Sequence, residues 1–318
     1  MTNIRWSYQT HWMQDSPRGP ISPDLSIKHL DRFIKQIAAI GFEGIDIIGV
    51  LCIPEYLNIM FGSPKKFLEF IKERGIEKVV SGWIAYAWMD ADHAPHIRST
   101  HDKIYQDCEK FCKFLSSLEA EYMVTMPSNT YWQVEPVTDE KIKNMADCYN
   151  RVGKMTMNYG IRMACHHEFW CAIRTVKQLD KFYKWTDPEY VYYWLDTAQT
   201  VIAGNDPVDL YLRFHDRCAG FHFKDTHHID TKRDYRLPPD PELMASTTKR
   251  WFWEMGTLGG LVDFPELMKA IREYNFRGWI TVEHDKAYWG GPDLRGNYAE
   301  STCIAKWYID NVLSKIYE

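Results

Sequence analysis

The sequence predicts a single closed (β/α)₈ barrel with long loops at the carboxyl ends of its strands. Two observations carry that prediction. Apolar runs of strand length alternate with helical stripes along the whole 318-residue chain, giving eight strand–helix units. No repeat, low-complexity run or Pro/Gly linker divides them, so residues 1–318 read as one domain. An open doubly wound sheet is the alternative, but it wants a glycine-rich turn after its first strand. Here Gln9-Thr10-His11-Trp12 follows, and no G-x-G-x-x-G occurs.

Residues 4–8 form the first predicted strand. Ile27, Leu30, Ile34 and Ile37 then recur at helical spacing, and Gly41 ends that helix. Strand two is 44–48. A helix follows over 64–73, with Pro64 suited to its first turn. Strand three is 78–83, and the third helix spans 98–118. Strand four, 122–126, is stopped by Pro127. The fourth helix starts after Thr138, an N-cap followed by acidic residues, and buries Ile142, Met145, Tyr149 and Val152. The remaining strands are 161–165, 191–195, 219–223 and 279–282, and a last helix covers 297–314. The extra length falls in four segments that follow strands: 49–62, 87–97, 128–137 and 226–261. In a barrel these are loops of the catalytic face. The longest reads as a lid or interface element.

Composition narrows the function. Charged residues make up 25% and the net charge is −5, with no basic run, which argues against a nucleic-acid partner. No stretch is long and apolar enough to span a membrane. The start, Met1-Thr2-Asn3-Ile4-Arg5-Trp6, enters a strand without an apolar leader, so a cytoplasmic protein is expected. The 8 cysteines are scattered; only Cys108 and Cys112 are close, one helical turn apart, and they read as buried thiols in a reducing compartment. Tryptophan is frequent, and Trp12, Trp88, Trp132, Trp170 and Trp289 fall in predicted loops, where bare indoles are costly. Trp12, Trp88, Trp170 and Trp289, with His11 and His228, are the candidate substrate-binding residues.

The chemistry concentrates at the ends of the last four strands. Strand five ends in His166-His167-Glu168, strand six in Asp196, strand seven in His222 followed by Lys224, and strand eight in Glu283. Neighbouring strands lie about 4.8 Å apart, so these side chains can converge. Three carboxylates brought together repel one another, and a divalent cation removes the conflict. Mixed oxygen and nitrogen ligation suits Mn²⁺, taken as the first expectation, or Mg²⁺, Co²⁺ or Zn²⁺. Each residue also has a plainer reading. Asp196 could cap the next segment, His222 could sit satisfied in the core, Glu283 could pair with a cation, Glu168 could be structural and Lys224 solvated. Their joint occurrence at four successive strand ends is what those readings do not predict.

Three segments resemble the xylose isomerase-like TIM barrels, a group of sugar isomerases, epimerases and lyases. They are Leu195-Asp196-Thr197-Ala198-Gln199 with Ala203-Gly204-Asn205-Asp206-Pro207, then Phe221-His222-Phe223-Lys224-Asp225, then Gly259-Gly260-Leu261-Val262-Asp263-Phe264-Pro265 leading to Trp279-Ile280-Thr281-Val282-Glu283. The last is similar to inosose dehydratases. The resemblance implies that Asp196, His222 and Glu283 are metal ligands. The family's further ligand is a Glu in or after strand five. Arg174 stands near that point here, and Glu168, the sole acidic residue between Asp147 and Asp180, is assigned the role.

A cation holding a carbonyl and an adjacent hydroxyl stabilises the enediolate left when the α-proton departs. In related epimerases two ligand glutamates act as acid and base, which implies Glu168 and Glu283. His166 or His167 could serve instead, since neighbours on a strand face opposite ways and one must point inward. Lys224 could hold an oxyanion or hydroxyl. The expected function is therefore proton abstraction beside the carbonyl of a keto-sugar or cyclitol, as an isomerase or epimerase. The alternative is a lyase that uses the same enediolate for β-elimination. That lyase resembles either an inosose dehydratase or a C-glycoside deglycosidase acting on 3-oxo-glycosides with a small partner subunit. A non-catalytic barrel subunit and a nuclease-like relative are further alternatives, the latter disfavoured by charge. The expected partner is a small carbohydrate or glycoside, with a homo-oligomer or small partner subunit left open.

Overall fold

A computed structural model of the chain describes residues 3–10, 23–84, 90–238, 251–284 and 298–317. Strands β1 (Ile4–Gln9), β2 (Gly44–Ile47), β3 (Lys78–Ile84), β4 (Tyr122–Thr125), β5 (Arg162–His166), β6 (Val191–Asp196) and β7 (Cys218–Phe223) belong to one parallel sheet. Strand β10 (Gly278–Val282) pairs with both β7 and β1 and closes the barrel. The predicted architecture is therefore the one observed. Strand ends differ from the prediction by a residue or so; β5 runs one residue further and takes in His166.

Helices follow the strands. They are α1 (Pro23–Ile40), α2 (Pro54–Phe61), α3 (Pro64–Lys72), α4 (His101–Ser117), α5 (Tyr131–Val134), α6 (Asp139–Thr156), α7 (Val176–Trp185), α8 (Thr197–Ile202), α9 (Pro207–Phe214), α10 (Phe264–Glu273), α11 (Tyr298–Tyr308) and α12 (Ser314–Tyr317). Segment 49–62 is not the plain loop expected. It holds a 3₁₀ turn, Gly49–Cys52, and then α2. Pro54 sets the first turn, Leu57 and Met60 are buried one turn apart, and Gly62 ends the helix at φ 79°. At the 226–261 segment two short strands pair antiparallel, β8 (Asp225–Thr226) with β9 (Phe252–Trp253).

The barrel interior is layered. Arg5 lies over the Trp279 ring at 4.3 Å near the amino-terminal end. Above it, Trp279 and Trp194 project inward, and glycines on nearby strands leave them room. A Cβ on Gly220 would lie 2.5 Å from Trp194, and one on Gly44 would lie 2.9 Å from Trp279. Ser7 and Thr281 pair through their hydroxyls at 2.8 Å where β1 meets β10. The next layer, at the carboxyl ends, is polar and forms the site. All eight cysteines are free; Cys108 and Cys112 are buried as expected. Among the described residues, no helix is long and apolar enough to cross a membrane.

Candidate metal centre

Strand alternation decides what reaches the barrel axis. His166, Asp196, His222 and Glu283 stand at or just past the ends of β5, β6, β7 and β10, and all four point inward and are buried. Each offers one ligand atom, and those atoms all lie within 4.8 Å of one another. His222 Nδ1 is 2.9 Å from Glu283 Oε2 and 3.9 Å from Asp196 Oδ2. His166 Nε2 is 3.2 Å from Asp196 Oδ2. The tryptophans beneath steady both imidazoles. Trp83 meets His166 edge-on at 4.7 Å, and Trp194 meets His222 at 5.5 Å.

The other nitrogen of His222 is held by a residue that the sequence reading missed. Nε2–H donates to Asp46 Oδ2 at 2.7 Å, and Asp46, on β2, is fully buried. Gln9 on β1 donates to the same oxygen at 3.4 Å. With Nε2 carrying the hydrogen, a neutral His222 turns the Nδ1 lone pair toward Glu283. That is the arrangement in which a carboxylate orients a metal-binding imidazole. A signal was present in the sequence: Asp46 is a lone charge in the apolar run Gly44-Ile45-Asp46-Ile47-Ile48.

Lys224 is not solvated. Its ammonium is buried, donates to Glu283 Oε1 at 2.7 Å, and lies 3.2 Å from Asp196 Oδ2. It also sits 4.4 Å above the Phe252 ring. The plain readings of Glu283 and Asp196 both hold, and neither takes them out of the cluster. Glu283 pairs with a cation, and Asp196 Oδ1 caps α8 by accepting the Gln199 N–H at 2.8 Å. Burial opposes the Asp196 charge, yet Lys224 and then His166 hold its carboxyl below the usual range. Burial pushes His222 down, but Glu283 and Asp46 outweigh it and lift the imidazole to about 10.

Two of the three histidine and glutamate candidates at the end of β5 do not join the four atoms. His167 faces the helix layer: its Nδ1–H donates to the Ile173 carbonyl at 3.1 Å, and Nε2 accepts the Tyr183 hydroxyl at 2.9 Å. A carbonyl only accepts, which fixes the tautomer, and burial holds the ring neutral by lowering it to about 3. Glu168 stays half-buried at the rim, its Oε1 3.6 Å from His166 Nδ1. Arg174 packs over Tyr235 at 3.6 Å and donates to the Phe169 carbonyl.

Trp170 and His228 come together on one wall. His228 stacks on Trp251 at 5.2 Å with the planes 15° apart, and Trp170 contacts the same indole at 5.3 Å. Phe252, next in sequence, carries the Lys224 contact, so this aromatic wall borders the four-residue centre. Trp251 and Phe252 were not singled out from the sequence. Trp132 lies half-buried in α5. His11, Trp12, Trp88 and Trp289 lie outside the described residues.

The donor set fits a dication. Three buried carboxylates, Asp46, Asp196 and Glu283, face one buried ammonium; His222, lifted to about 10, holds a further proton until a cation displaces it, and the neutral imidazole then leaves two negative charges to match a dication. His222 Nδ1 and Glu283 Oε2 are buried and face each other at 2.9 Å, with no hydrogen-bond partner beyond one another. A shared cation would displace the proton between them and draw on both lone pairs.

A sequence profile described as xylose isomerase-like TIM barrel matches residues 34–302. The chain belongs to the xylose isomerase-like TIM barrel family. Within that family it is similar to an inosose dehydratase of Mesomycoplasma hyopneumoniae (strain 7448), 27% identical over 266 residues, covering 80% of this chain and 81% of the relative. Among solved structures it resembles an L-ribulose 3-epimerase, with TM-score 0.72 and 15% identity over 98% of this chain and 95% of the other. It also resembles IolI, solved with a bound zinc atom, with TM-score 0.69 and 18% identity over 99% of both chains. These two likenesses are of fold.

Proposed function

We propose that the protein is a divalent-cation-dependent enzyme that removes the proton beside the carbonyl of a keto-sugar or cyclitol. The observation that carries this reading is the charge balance of the buried centre. Its three carboxylates exceed Lys224 by two charges once His222 is neutral, and the facing atoms of His222 and Glu283 mark where a dication would be held. Asp196, His222 and Glu283 would hold it, with a further donor from the end of β5. When bound, the cation supplies electrophilic pull on a carbonyl oxygen, which makes the neighbouring C–H acidic.

The chain's own residues supply the rest. Glu168 and Glu283 follow β5 and β10, with β6 and β7 between them; Glu283 lies in the centre, and Glu168 stands at its rim beside His166. One takes the proton from one face of the substrate carbon, and the other returns a proton from the opposite face, which is epimerisation. Lys224, anchored by Glu283 and Asp196, donates to an oxygen as it gains charge. The wall of Trp170, Trp251 and Phe252 offers an apolar face to a ring and excludes water.

A second reading, elimination, draws on the similarity to inosose dehydratases. The same proton is removed, but a β-substituent then leaves instead of a proton returning. The test for both is solvent-deuterium exchange followed by NMR against ketoses, inososes and 3-oxo-glycosides. Deuterium in recovered substrate or its epimer supports the first reading. Release of water or an aglycone supports the second. No exchange and no release across the panel removes both.

A further inference from the structure

We infer that His166, not Glu168, is the fourth donor of the centre, and that the protein takes a cation of the zinc, cobalt or iron class in preference to magnesium or manganese. This deepens the reading above and rests on it.

Position argues first. The His166 ring lies in the buried cluster with its centroid 4.9 Å from the His222 ring, and its Nε2 faces Asp196 Oδ2 at 3.2 Å. Its side chain is 2% exposed, whereas that of Glu168 is 17% exposed. The Glu168 carboxylate stands behind the ring, 3.6 Å from Nδ1, on the far side from Asp196. Nδ1 is itself buried and without a hydrogen-bond partner. The two imidazoles are therefore set up alike. Each turns one nitrogen to the centre and the other toward a carboxylate: Asp46 for His222, and Glu168 for His166.

Charge argues next. With a neutral imidazole in fourth place, one dication and Lys224 balance the three buried carboxylates. A glutamate in that place would bring an extra negative charge into a buried site. Donor chemistry then sets the choice of metal. Two nitrogens and two oxygens make a borderline set. Imidazole favours zinc, iron and their neighbours, whereas magnesium and manganese favour oxygen, and manganese stands at the weak end of the divalent series.

The test uses the full-length protein, stripped with a chelator and titrated with Co²⁺. The inference expects one equivalent bound and two exchangeable imidazole N–H protons shifted far downfield in the proton NMR spectrum. Mg²⁺ in large excess should leave both signals in place. In His166→Glu one signal should vanish, and the preference for Co²⁺ over Mn²⁺ should shrink by about tenfold or more. Should that variant fail to fold, Glu168→Gln serves instead, and it should still bind Co²⁺ with both signals. A single N–H signal in the parent protein, or loss of Co²⁺ binding in Glu168→Gln, would overturn the assignment while leaving a metal enzyme. Failure of the parent protein to bind Co²⁺, Zn²⁺, Mn²⁺ or Mg²⁺ would overturn the functional reading itself.

Discussion

Asp46 and His222 are joined by a 2.7 Å hydrogen bond that crosses the barrel from β2 to β7. It fixes which imidazole nitrogen is free and holds the ring on the axis. Asp46→Asn keeps an acceptor at that point but removes the charge. Cation affinity, measured by competition with a coloured chelator, is expected to fall about 10–100-fold. Unchanged affinity would mean that the ring is oriented by its tryptophan neighbours alone.

Lys224 neutralises part of the centre whether or not a cation is present. Lys224→Met should destabilise the cation-free protein by about 3–5 kcal/mol, because it strands two buried carboxylates. Added Zn²⁺ should recover much of that loss. Thermal unfolding with and without metal measures it, and a variant as stable as its parent in chelator contradicts the pairing.

His167 separates structural from chemical roles on one strand. In His167→Phe the Ile173 carbonyl and Tyr183 hydroxyl lose their partner, at a cost of about 1–3 kcal/mol. The rate of deuterium exchange per folded molecule should stay as in the parent. A selective loss of exchange with full stability would place His167 in the reaction.

Asp225 gives the protein a pH dependence of its own. Burial raises its carboxyl to about 7, against three backbone N–H donors, those of Thr226, Leu261 and Val262. Its unfolded value is about 3.9. Between those values the folded state holds the extra proton, so this carboxyl erodes stability as pH rises from about 4 to about 7. Asp225→Asn keeps an acceptor for the three donors and removes the titration. It should raise the unfolding midpoint at pH 8 but not at pH 4. A midpoint difference that does not change with pH would rule Asp225 out as the source.

The barrel was legible because strand and helix periods alternate cleanly and because the strand ends carry charge. Asp196, His222 and Glu283 converge as their positions required. Four things were not legible. Strand alternation said that one of His166 and His167 points inward, but not which, since that depends on where β5 ends. Asp46 lies far from the other site residues in sequence and contributes through His222 alone. Trp251 and Phe252 follow a long segment whose path no local pattern sets, so their place beside Lys224 could not be read. Segment 49–62 passed for a loop because α2 is only two turns long and its apolar stripe, Leu57 and Met60, is correspondingly brief.

Every convergent donor comes from the second half of the chain, yet the carboxylate that steadies one of them comes from the first. A fragment beginning at β5 would carry all four donors and still lack the grip on His222. The early strands are thus more than scaffold. Any route that built this molecule by joining two half-barrels had to bring Asp46 into register with its histidine before the centre could take its present form.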